Sequence, residues 1–109
     1  MLEVRYYVAA NGDEPFSDWF AELEAVTRAK VARAIARMEQ GNLSNVKSVG
    51  GGVLEYRIDF GPGYRVYFGR AGDALVILLM GGTKKRQQRD IDAAHGYWQD
   101  YKQSKRGRR

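Results

Sequence analysis

The apolar positions change period along the chain, and each change marks an element. Leu2-Glu3-Val4-Arg5-Tyr6-Tyr7-Val8 alternates in part and is rich in β-branched and aromatic side chains, which predicts a strand. Asn11-Gly12-Asp13 ends it with turn chemistry. Pro15 suits the first turn of a following helix, where its missing N–H costs nothing. Phe16, Trp19, Phe20 and Leu23 recur at helical spacing and make that helix short and amphipathic. A second helix is predicted from Val26 to Gln40. Val31, Ile35 and Met38 form its apolar stripe, with Ala32 and Ala36 beside it, and Arg28, Lys30, Arg33 and Arg37 take much of the rest. Gly41-Asn42 supplies the stop. The two helices should form a hairpin lying on a sheet.

Residues 41–52 read as a loop. Gly50-Gly51-Gly52 marks either flexibility or a close backbone approach, and it is not a P-loop, because no Gly-Lys-Ser/Thr follows. Three strands are predicted next, Val53–Asp59, Tyr64–Gly69 and Ala74–Met80, joined by links short enough for hairpins and closed by Gly81-Gly82-Thr83. A last helix from Arg86 to Tyr101 carries a buried stripe of Ile91, Ala94, Trp98 and Tyr101. The order is β-α-α-β-β-β-α. It predicts an α+β fold with a mainly antiparallel sheet, a helical hairpin and a C-terminal helix. Residues 1–101 form one domain, and residues 102–109 are expected to be a basic, disordered tail.

Strand alternation assigns faces. Leu54, Tyr56 and Ile58 share one face of their strand, with Glu55, Arg57 and Asp59 opposite; Arg65 and Tyr67 lie opposite Tyr64, Val66 and Phe68 in the next. Two neighbouring strands thus each place an arginine on the more polar face, and Lys84, Lys85 and Arg86 follow the last strand at its rim. Glu55 and Asp59 offer Arg57 an ion pair, which is the structural alternative for this cluster. His95, Trp19, Phe20 and Trp98 read as structural residues.

Charge sharpens this picture. The net charge is +5. The segment Lys102–Arg109 holds five basic and no acidic side chains, and the other 13 basic residues balance the 13 acidic ones. Within the body, residues 84–89 contribute Lys84, Lys85, Arg86 and Arg89 without an acid. A concentrated positive patch suits a polyanion. Cleaving RNA through its own 2′-hydroxyl needs a base, an acid for the departing oxygen, and cations for the extra charge on the phosphorane. Arginine gives bidentate, permanently charged contacts to phosphate. Lysine supplies charge or, crowded by other cations, a base. The candidate catalytic residues are therefore Arg57, Arg65, Lys84 and Lys85, with Tyr67, Arg86, Arg89 and Tyr97 as candidate RNA contacts.

Other classes drop out. With no cysteine there is neither a disulfide framework nor a thiolate metal site, and one histidine makes a histidine metal site an unpromising reading. No metal or cofactor is expected. The N-terminus lacks a basic segment followed by an apolar run, and the longest apolar run, Ala74 to Met80, is far too short to span a bilayer. A cytoplasmic protein without membrane contact is expected.

Gly41-Asn42-Leu43, the run Val49-Gly50-Gly51-Gly52-Val53 leading to Glu55-x-Arg57-Ile58, Gly63-Tyr64-Arg65-Val66-Tyr67-Phe68, and Gly81-Gly82-Thr83-Lys84-Lys85 come in an order that resembles the HigB-like branch of the RelE/ParE toxins. That resemblance implies a RelE-like fold and mRNA cleavage, usually on the translating ribosome. It also implies a cognate antitoxin, commonly a small helix-turn-helix protein, with operator DNA bound only by the toxin–antitoxin complex. It matches Arg57, Arg65, Lys84 and Lys85 to the family's basic positions and leaves the C-terminal tyrosine, for which Tyr97 stands, without a secure match. The same resemblance leaves open a non-catalytic inhibitor of DNA gyrase of the ParE kind, or an inactive antitoxin-binding subunit.

Overall fold

A computed structural model describes the backbone of residues 1–107 and the side chains of residues 1–104. The elements are β1 (Glu3–Tyr6), α1 (Pro15–Ala21), α2 (Ala25–Glu39), β2 (Val46–Ser48), β3 (Val53–Ile58), β4 (Tyr64–Ala71), β5 (Leu75–Thr83), a 3-10 turn (Lys84–Arg86) and α3 (Gln87–Gly107). The strands form one sheet in the order β1-β5-β4-β3-β2. β1 runs parallel to β5, and every other pair is antiparallel. The α+β class and the mainly antiparallel sheet follow the sequence reading, with one strand more than it predicts.

The helix ends obey local rules. Pro15 opens α1. α2 closes on Gly41 with φ +83°, whose N–H donates to the Met38 carbonyl while that of Asn42 donates to Arg37. This paired closure needs a left-handed residue, and glycine meets no Cβ penalty there.

Three boundaries differ from the expectation. The predicted loop 41–52 contains β2, which pairs Val46 with Tyr56, Lys47 with Glu55 and Ser48 with Leu54. So short a strand has no readable alternation; its pairing with β3 creates it. β5 continues through Gly81 and Gly82 rather than ending before them. Both glycines are packing sites: a Cβ would lie 2.3 Å from the Trp19 ring at Gly81 and 1.8 Å from Asp90 Oδ2 at Gly82. α3 runs past its expected end at Tyr101 to Gly107, so the described part of the expected tail is helical; Arg108 and Arg109 lie outside the described residues.

Two cores flank the sheet. On one face Phe16 of α1 and Val31, Ala34 and Met38 of α2 pack against Tyr56, Val66 and Phe68. On the other, Ala94 and Trp98 of α3 pack against Val53, Tyr67 and Ile77. A bulge in β5 sets Met80 opposite Tyr67 and Leu78 opposite Phe68, leaving Leu79 between them; Leu79 and Met80 both pack on the α3 side. Trp98 closes the second core where glycine allows it, since a Cβ at Gly69 would sit 2.4 Å from its ring.

Candidate nucleic-acid interface

The site grows from one cross-strand pair. Register sets Arg57 directly opposite Arg65, and Glu55 opposite Tyr67. All four side chains therefore belong to the face that α3 covers. α3 and its preceding turn cover the Glu55–Tyr67 end and leave Arg57 exposed. Glu55 and Tyr67 are completely buried, and Arg65 is only 4% exposed.

Glu55 makes this burial tolerable. Gln87, at the start of α3, donates a 2.7 Å hydrogen bond to Glu55 Oε2. Arg65 Nε stands 3.8 Å and Lys47 Nζ 3.9 Å from Glu55 Oε1, ion-pair rather than hydrogen-bond distances. The Tyr67 hydroxyl is pushed well above the usual tyrosine range, first by burial and then by the Glu55 charge. A buried cation, a buried carboxylate and a neutral phenol thus form one polar cluster inside an apolar layer. Such a cluster persists only when its charges are matched.

Beside it opens a cleft of about 460 Å³, whose walls include Arg57, Arg65, Lys84, Lys47, Asn45 and Asp59. Gly63, with φ +81°, brings two of the cations together. Its carbonyl accepts a 2.8 Å hydrogen bond from the Lys84 N–H, and a Cβ there would lie 3.3 Å from Arg65 Nη1 and 3.5 Å from Lys84 Cβ. Among the described residues, no carboxylate lies within ion-pair distance of Arg57 or Lys84. Glu55 therefore pairs with Arg65 and Lys47, and the ion pair offered to Arg57 is not formed. What remains is a concave surface with unneutralised cations on two sides and a buried, counter-charged arginine as its floor.

The other candidates divide. Lys85 is exposed on the 3-10 turn next to Lys84 but does not line the cleft. Arg86 and Arg89 are exposed and lower the cost of the buried Asp90 carboxyl, whose pKa is raised by burial despite them. Tyr67 has no exposed surface, so it cannot stack on a base; its expected RNA contact gives way to a structural role. Tyr97 stacks on Tyr7, ring centroids 5.2 Å apart, and Tyr7 donates a 2.5 Å hydrogen bond to Asp100 Oδ2. Tyr97 thus serves the β1 edge, at the opposite side of the sheet from β2 and β3. His95 Nε2 lies 3.0 Å from the Val49 carbonyl and packs on Gly50 and Gly51, so the glycine run marks a close approach. Sequence reasoning misses Lys47 and Asn45 because both depend on β2. It has Asp59 only as a partner for Arg57.

Fold and cleft together define a small α+β protein with a cation-lined cleft at one end of its sheet. Residues 18–95 match the family described as "Phage derived protein Gp49-like (DUF891)", and the chain belongs to that family. The matched stretch contains Arg57, Arg65, Lys84 and Lys85. An uncharacterized protein of Haemophilus influenzae is 44% identical over 80 residues, covering 72% of this chain and 81% of that protein. The family match corrects the resemblance to the HigB-like RelE/ParE toxins. Much of the quoted motif is what this sheet requires: Gly81 and Gly82 admit Trp19 and Asp90, and Glu55, Arg65 and Tyr67 form one buried cluster. Among the described residues, no helix is long and apolar enough to cross a membrane.

Proposed function

We propose that the protein is an endoribonuclease of the toxin type, which cleaves mRNA by making the RNA's own 2′-hydroxyl the nucleophile. The 2′-oxygen forms a bond to phosphorus as the P–O5′ bond breaks, leaving a 2′,3′-cyclic phosphate and a 5′-hydroxyl. Arg57 and Arg65 hold the non-bridging oxygens, where permanently charged, planar donors offset the charge gained in the phosphorane. Lys84, as an ammonium, gives its proton to O5′, and the Asp59 carboxylate accepts the proton of the 2′-hydroxyl. The observation that carries this reading is the convergence of Arg57, Arg65 and Lys84 on one cleft, with Arg57 and Lys84 free of protein carboxylates among the described residues. Under this reading the physiological substrate is mRNA on the ribosome, and the restraining partner is a small cognate antitoxin.

The test is pulse expression with mapping of new 5′-hydroxyl mRNA ends, beside purified protein acting on a single-stranded RNA. Arg57 and Lys84 are exposed, so Arg57→Ala/Lys84→Ala should fold normally. Its cleavage rate should fall by about 10²-fold or more, the usual cost of losing a charge-stabilising donor. Wild-type cleavage by the folded variant, or no new ends with the wild type, would refute the assignment.

A further inference from the structure

A second concavity, about 230 Å³, lies between α2 and β3 and shares Asn45, Arg57 and Asp59 with the cleft. Its α2 wall carries Lys30, Arg33 and Arg37. These positions are three and four residues apart, so their side chains rise from one helix face over roughly 10 Å of axis. All three are exposed. Lys30 Nζ is held over the Phe60 ring, 5.1 Å from its centroid, which fixes one cation at the rim. Among the described residues no carboxylate forms an ion pair with any of the three. Like charges at this spacing destabilise the helix. Arg57 stands on the wall common to both concavities, so an anion chain leaving the cleft past Arg57 meets Arg33 and Arg37 next.

Resting on the reading above, we propose that the α2–β3 concavity is a second backbone-binding subsite. It holds phosphates of the same RNA strand outside the cleaved step. Arg57 is shared between the two, and Arg33 and Arg37 bind phosphates without reading bases. This makes the enzyme prefer a strand that extends past the scissile bond on one side. Forked arginine donors take phosphate oxygens in bidentate pairs, and continuity with the cleft through Arg57 makes the same strand the occupant.

The test uses the full chain with exposed Arg33 and Arg37 replaced by glutamine, and Arg33→Lys/Arg37→Lys as a charge-retaining control. Binding of a fluorescent single-stranded RNA carrying a 2′-O-methyl group at every position is followed across salt concentrations, since its blocked 2′-oxygens cannot attack. Arg33→Gln/Arg37→Gln should weaken binding at least five-fold at low salt. It should also make the log Kd–log salt slope shallower by about 1.4, at about 0.7 for each single-strand phosphate left unneutralised. The lysine control should keep the slope. In cleavage, the glutamine variant should raise KM for a long RNA and leave a dinucleotide substrate unaffected. Unchanged affinity and slope in the glutamine variant would overturn the subsite. So would competition by polyglutamate as effective as by RNA, which would point to an acidic protein partner. The binding measurement needs no turnover: if the wild type cleaves nothing but the slope still depends on Arg33 and Arg37, the nuclease reading fails and the subsite stands.

Discussion

Glu55→Ala tests whether one buried carboxylate holds both the core and the floor of the cleft. Glu55 is completely buried and faces Gln87 at 2.7 Å, Arg65 at 3.8 Å and Lys47 at 3.9 Å. Alanine leaves Arg65, 4% exposed, as a buried cation without a counter-charge. Breaking a buried pair in this way costs about 3–5 kcal/mol, and the ion-pair rather than hydrogen-bond distance argues for the lower half of that range. The orphaned Gln87 amide and the vacated volume add about 1–2 kcal/mol. The sum, about 4–6 kcal/mol, is a large share of the roughly 5–15 kcal/mol that holds a domain of this size together. Glu55→Gln keeps the shape and an acceptor for Gln87 and removes only the charge, so it should cost about 3–4 kcal/mol, the share of the unmatched Arg65 alone. Urea unfolding at pH 7 measures both, and Arg65→Met completes a double-variant cycle. Glu55→Gln/Arg65→Met should lose less than the sum of its single variants by about 0.5–3 kcal/mol, because it buries no unmatched charge. A loss below about 1 kcal/mol for Glu55→Ala, or strict additivity in the cycle, would show that Arg65 does not depend on Glu55 and would refute the reasoning.

Three further outcomes follow from the same packing. Burial first, and then the Glu55 charge, raises the Tyr67 hydroxyl above its ordinary 10.0; the unfolded chain therefore loses this proton first, and stability is intact below pH 10 and declines above it. The decline should approach about 1.4 kcal/mol per pH unit from Tyr67 (about one proton), and Tyr67→Phe should remove that share in urea titrations from about pH 8 to 11. Tyr7 adds to the decline, because burial and then its hydrogen bond to Asp100 raise its hydroxyl in the same direction. Burial also raises the Asp90 carboxyl above 3.8, against the pull of Arg86 and Arg89, so its charge costs stability at neutral pH. Asp90→Asn should then raise the unfolding midpoint at pH 7, and the difference should vanish as pH falls through 3.8; a lower midpoint at pH 7 would contradict this. Gly69→Ala places a Cβ 2.4 Å from the buried Trp98 ring and should cost about 1–3 kcal/mol by thermal unfolding, with partial recovery in Gly69→Ala/Trp98→Leu.

Local chemistry determined most of the elements. Period-two and helical-period runs placed four strands and three helices, because each signal needs only neighbouring residues. Alternation even put Arg57 and Arg65 on one face, and the register made them direct partners. The family was not legible in the same way: Gly81-Gly82 and Glu55-x-Arg57 reflect packing demands of the sheet, and they resembled a family to which the chain does not belong. Only tertiary structure decided which polar residues meet solvent. α3 closes over Glu55 and Tyr67 and stops short of Arg57, so residues of one alternating pattern become a buried cluster and an exposed cation. Likewise β2 exists because β3 lies beside it, and with it come Lys47 and Asn45 at the cleft. Burial and edge pairing depend on contacts between segments distant in the chain, and no local period of apolar and polar residues encodes them.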